Sequence, residues 1–228
     1  MKHGLAVMLF VSMVAAGQTM PAPSQPLPQQ AVYRNAELHL TFSYPADLAP
    51  RDAAAVAAVG RRMIYGADAE TDPAHSKADA CMKVLLSVGK NSAGTQPGAQ
   101  ASLTLFDVDM RCLPAKALKN KKTMDGALTG LATQGTTVLG MMPIEEPMHY
   151  EIQGHRVRLV AAQGTPVSKT DLQTDGAQLI AVAATAVNGH VLSWVFEAND
   201  LATFNQMLAS QVDFGVGKPQ PLFPAGFQ

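Results

Sequence analysis

The sequence predicts an α+β fold, a mainly antiparallel central sheet of about six strands flanked by helices. Three observations carry this expectation. Residues 177–214 hold two apolar, β-branched runs on either side of Asn188-Gly189, the pair that a two-residue type I′ turn favours because both central residues take positive φ. That turn sets Val187 opposite His190, Thr185 opposite Leu192, Ala183 opposite Trp194 and Ala181 opposite Phe196. The other face pairs Ala186 with Val191, Ala184 with Ser193 and Val182 with Val195, and it is apolar too. Such a hairpin belongs in mid-sheet with a layer packed on each side. The second observation is the alternation of Leu38, Leu40, Phe42 and Tyr44 with Glu37, His39, Thr41 and Ser43, a strand with one buried face that ends at Pro45. The third is helical spacing. Asn199 or Asp200 caps a helix whose Leu201, Phe204 and Leu208 form one stripe, and alanine-rich residues 52–65 place Val56, Val59 and Met63 on one side.

In chain order, residues 1–17 read as a signal peptide: a short basic start with Lys2, an apolar run over residues 5–16, and small residues for cleavage near Ala16 or Gly17. Residues 18–30 are a linker rich in proline and glutamine. Residues 31–215 are expected to form one domain and 216–228 a C-terminal tail. Hydrophobic residues make up 47% and charged residues 15%, which are globular values. Loss of the leader removes Lys2 and moves the formal charge from −1 to −2. Without a basic stripe, that balance argues against a nucleic-acid partner.

Residues 31–45 read as a short hairpin, and further elements lie between it and the closing one. Residues 66–79 read as a polar loop. Residues 81–88 and 102–110 read as strands joined by a flexible segment, 89–100. Pro114 sits well at the first turn of a helix carrying Leu118, Met124, Leu128 and Leu131. Residues 148–152 and 155–162 pair across Gln153-Gly154. That register puts Ile152 opposite His155, Tyr150 opposite Val157 and Met148 opposite Leu159, with His149 opposite Arg158 and Glu151 opposite Arg156. A polar loop over 163–176 leads into the closing hairpin.

Cys81 and Cys112 are the only cysteines, in a chain read as bound for an oxidising compartment. Antiparallel pairing with Leu86 opposite Asp107 and Val84 opposite Asp109 sets the two cysteines opposite each other, so a disulfide is expected.

Three stretches carry a resemblance: LHLTFSYPADL (38–48), YEIQGHRVRL (150–159), and GHVLSWVFEANDLATFNQML (189–208) with VDF (212–214). Together they resemble the PsbP-like family, the superfamily of a photosystem extrinsic protein with exported bacterial members. The resemblance implies an α/β/α sandwich and an accessory or binding role. It supplies no catalytic residue.

The search for chemistry finds no nucleophile elbow, no His-Glu-x-x-His, no Cys-x-x-Cys and no P-loop. Residues 215–218 (GVGK) outwardly resemble a phosphate loop, but no helix follows. Asp107 and Asp109 share a strand face; the plain reading is a solvated edge or a salt bridge with lysine or arginine. His149 and His155, near Glu145, Glu146 and Glu151, have the residue types of a metal site, yet the hairpin register points the two histidines to opposite faces. His190 is an ordinary residue beside a turn. Lys116, Lys119, Lys121 and Lys122 form a basic helix face, the candidate partner surface. The expected function is that of an exported, non-enzymatic binding module without metal or cofactor, acting through loops on an unidentified envelope or extracellular protein. The alternatives are a small-ligand or metal carrier, and an unrecognised hydrolase.

Overall fold

The computed structural model describes residues 29–54, 56–57, 81–90, 100–113, 115–116, 118–138, 141–164 and 178–227. The expected signal peptide, nearly all of the linker, most of the 52–65 helix and most of the three polar loops lie outside them. Of that helix, Asp52 is seen capping the start, accepting from the Ala54 N–H at 2.8 Å, and Val56 is buried.

Two antiparallel sheets replace the expected sandwich. The larger has eight strands in the order β3 (Ala49–Pro50), β4 (Met82–Lys90), β5 (Ala101–Asp109), β10 (His190–Ala198), β9 (Gln178–Val187) and β8 (His155–Gly164). Both β6 (Met142–Pro143) and β7 (Met148–Ile152) pair along the far edge of β8. The smaller sheet has four, β1 (Gln30–Asn35), β2 (Leu40–Pro45), β11 (Gln211–Asp213) and β12 (Gln220–Pro221). Besides the helical start that Asp52 caps, two α-helices are present among the described residues, α1 (Lys121–Val138) and α2 (Leu201–Leu208).

The α/β/α expectation therefore fails on one side. The large sheet is apolar on both faces, as its hairpin predicts, but one face is covered mainly by the small sheet. Leu40 and Phe42 of β2, with Val212, Leu222 and Phe223, join Leu103, Leu105, Trp194 and Phe196 in one core. The ring centroids of Phe42 and Trp194 lie 6.0 Å apart, and those of Phe196 and Phe223 lie 4.9 Å apart, edge to face. Helix α2 adds Phe204, Met207 and Leu208 to this layer. Its cap is Asp200, which accepts from the Thr203 N–H at 2.8 Å, whereas Leu201 is 60% exposed and leaves the expected stripe. Helix α1 covers the opposite face with Leu128 and Ala132 against Val160, Ala162, Val182 and Ala184.

Both hairpins have the expected register, and both turns have positive φ at each central residue: Asn188 (49°) and Gly189 (82°), Gln153 (51°) and Gly154 (82°). The pairing of β4 with β5 departs from expectation. Leu86 faces Leu105, two residues from the expected partner, and Val84 faces Phe106, three residues from it; the bulge at Leu85 accounts for one residue of that difference. Cys81 and Cys112 are nevertheless joined, with Cα atoms 5.9 Å apart. A 3-10 turn over Met110–Cys112 brings Cys112 back towards the start of β4.

The residues expected to form a tail are part of the fold. Strand β12 pairs with β11, and Leu222 and Phe223 are buried. Gln153 at the β7–β8 turn holds the same segment, accepting from the Phe214 N–H at 2.8 Å and donating to the Lys218 carbonyl at 2.7 Å. The glycine loop encloses an internal anion: the Asp213 carboxylate accepts from the N–H groups of Val216 and Gly217. That is a backbone nest filled by the chain's own side chain.

Candidate functional site: an apolar trough beside helix α2

Successive rows across the large sheet explain where a concavity forms. One row on the face towards the small sheet runs Leu159, Ala183, Trp194, Leu105, and the next runs Ala161, Ala181, Phe196, Leu103. Trp194 and Phe196 fill the space over the neighbouring alanines, and both are fully buried. Ala161, at the β8 end of its row, has no large side chain above it. The floor there is Ala161 and Leu179.

Helix α2 makes one wall with Leu201, Phe204 and Leu208, and the segment between β6 and β7 makes the other with Ile144 and Met148. A strap at 224–227 closes the end, fixed by the stacking of Phe227 on Phe223 at 5.4 Å. The partly enclosed space is about 350 Å³, within the usual size of a small-molecule site. Ile144 (47% exposed) and Leu201 (60%) present apolar surface to solvent at its mouth. The polar side chains that line it are Glu145 and Asn205, and Asn205 Oδ1 is buried with no hydrogen-bond donor among the described residues. A second hollow of about 570 Å³ lies on the far side of the strap and shares Leu208 with the trough.

The residues singled out in the sequence fall elsewhere. The two histidines point to opposite faces, as the register requires. His149 is exposed opposite Arg158, and the His155 ring packs 4.6 Å from that of Phe214, with Nδ1 3.2 Å from the Ala186 carbonyl. Arg156 and Arg158 bind Asp125 of α1 at 2.6 and 2.9 Å, which ties that helix to the sheet. Among the described residues no cluster of three metal-ligating side chains occurs.

Asp107 and Asp109 take separate partners. The Asp109 carboxyl accepts from the Arg111 side chain and backbone, and these bonds hold its pKa down at about 2. Asp107 is buried and lies 2.8 Å from His190 Nδ1, a diagonal pair across β5 and β10. A buried carboxylate orienting a histidine is half of a general-base arrangement. The groove that His190 faces is lined by Asp109, Met110, Arg111, Leu118 and Asn188, with no serine, threonine or cysteine among its described residues.

The lysines do not form a helix face. Lys116 and Lys119 precede α1, Lys121 and Lys122 lie in its first turn, and all four are exposed. Asn120 caps the helix. Its Oδ1 accepts from the Thr123 N–H at 3.0 Å while its own N–H donates to Thr123 Oγ1 at 3.1 Å. Pro114 lies outside the described residues, and Leu118 stands before the helix, 43% exposed.

Sequence reasoning missed the trough. Its one visible trace is Ala161-Ala162, small residues in a strand that otherwise carries large ones. No protein-family model matches the chain, and no curated protein matches it.

Proposed function

We propose that this chain is an exported, non-enzymatic binding module whose ligand seat is the trough between α2, residues 144–148 and the 224–227 strap. The observation that carries the reading is the combination of an apolar, partly enclosed space of about 350 Å³ with two polar side chains lining it among the described residues. Ligand sites are built this way: apolar walls supply affinity and a few polar groups fix orientation. Export accords with the Cys81–Cys112 disulfide, which persists in oxidising compartments. The PsbP-like resemblance of residues 38–48, 150–159 and 189–208 supports an accessory rather than catalytic role. No helix among the described residues is long and apolar enough to cross a membrane.

The test is titration with the neutral fluorescent probe N-phenyl-1-naphthylamine. Saturable binding of one probe per chain is expected, weakened at least about tenfold when Ala161→Leu fills the floor. Unsaturable binding, or saturable binding indifferent to Ala161→Leu, would remove the trough as the seat.

A further inference from the structure

The chemistry lining the trough narrows the ligand class, an inference that rests on the binding role proposed above. Among the described residues Glu145 is the one ionisable side chain that lines it, set at the mouth where the β6–β7 segment meets solvent. Glu146 follows immediately and is also exposed. Among the described residues no lysine, arginine or histidine lines the space. The second polar group, Asn205, has a buried Oδ1 with no hydrogen-bond donor among the described residues, and its amide carries both an acceptor and an NH2 donor, so it discriminates between head groups less than Glu145 does. A lone carboxylate bordering an apolar space suits a head group that donates hydrogen bonds and carries positive charge. An alkylammonium carries three N–H donors and a positive charge at neutral pH, as lysine does. A fatty carboxylate brings a like charge against Glu145.

We propose that the trough binds a free single-chain alkylammonium, its tail over Ala161 and Leu179 and its head at Glu145. Because Glu145 is exposed, the charge contributes selectivity more than affinity, and the apolar walls supply the binding.

Calorimetry with octylamine, octanol and octanoate on the whole chain separates the two levels of the argument. The expected order is amine, alcohol, carboxylate, with a span of about fivefold at low ionic strength that shrinks in 0.5 M salt, roughly as screening demands. Glu145→Gln should bring the amine to the alcohol's affinity and leave the alcohol unchanged. Octanoate binding as tightly as octylamine, or a Glu145→Gln protein that keeps its preference for the amine, would overturn the ligand class while the trough remained a site. Failure of all three, octanol included, would overturn the trough itself.

Discussion

Two alanines on one face of one sheet should respond in opposite directions to the same substitution. Ala183 is fully buried beneath Trp194, and Ala161 stands one row away on the floor of the trough. A leucine at Ala161 adds three carbons to space that already exists. Burying them is worth about 2 kcal/mol, against about 1 kcal/mol of lost rotamer freedom, so a net gain of about 1 kcal/mol is expected. A leucine at Ala183 has no such space and should cost about 1–3 kcal/mol through overpacking. Urea denaturation reads both, with Trp194 as reporter: it is the only tryptophan and fully buried, so its native emission should be blue-shifted. The midpoint should rise for Ala161→Leu and fall for Ala183→Leu, with unchanged slopes. Equal destabilisation by the two would show that the space over Ala161 is filled, and the ligand argument would fall with it.

Other consequences follow from the disulfide, the buried acid and the lysines. Replacing Cys81 and Cys112 with serine, a pair 31 residues apart, should cost about 3–4 kcal/mol in the chain-entropy description, and equal midpoints for the two proteins would refute it. Glu197 is buried and accepts from Ser102 Oγ at 2.7 Å; desolvation raises its pKa above the ordinary 4.5, against that hydrogen bond and the nearby Arg51 charge. The folded state thus holds its proton longer than the unfolded chain does. The stability this contributes is complete below the unfolded value and drains as pH rises through the raised folded one. Wild type should accordingly lose stability relative to Glu197→Gln from about pH 4.5 upward, and parallel curves would contradict the assignment. Changing Lys116, Lys119, Lys121 and Lys122 together to glutamine should not lower the melting temperature. All four are exposed, and two oppose the dipole at the start of α1. If these lysines meet a protein partner, the same variant will lose low-salt capture of it; undiminished capture would exclude them from the interface.

What the sequence disclosed and what it hid divide along physical lines. Asn188-Gly189 and Gln153-Gly154 each sit between long apolar runs, so local turn chemistry fixed two registers that the structure reproduces pair for pair. Two apolar faces correctly implied a layer on each side of the large sheet, but nothing local says whether that layer is helix or sheet. Strands β11 and β12 have three and two residues, too short for any periodicity, so β11 went unread as a strand and β12 read as part of a tail. The bulge at Leu85 leaves no mark in composition either, and the expected β4–β5 register missed it. The cysteines met regardless, because compartment and count predicted them independently of register. The basic helix face failed because Asn120 and Thr123 form a cap inside the lysine run, starting α1 after two of the four lysines. The trough was illegible for a deeper reason. It arises where a large side chain is absent over Ala161, and its walls come from residues 144–148, 201–208 and 224–227, which only the folded chain assembles.

The most direct test of the binding account is methyl NMR on the protein with labelled alanine, leucine and methionine, titrated with N-phenyl-1-naphthylamine. The account predicts that the methyls of Ala161, Leu179, Leu201, Leu208 and Met148 shift together along one saturable curve, while Leu128 and Met124 on the α1 side stay still. Shifts centred instead on Leu118, Met124 and Leu128, which line the groove between α1 and the β7–β8 turn, would place the ligand on the opposite face and contradict the account.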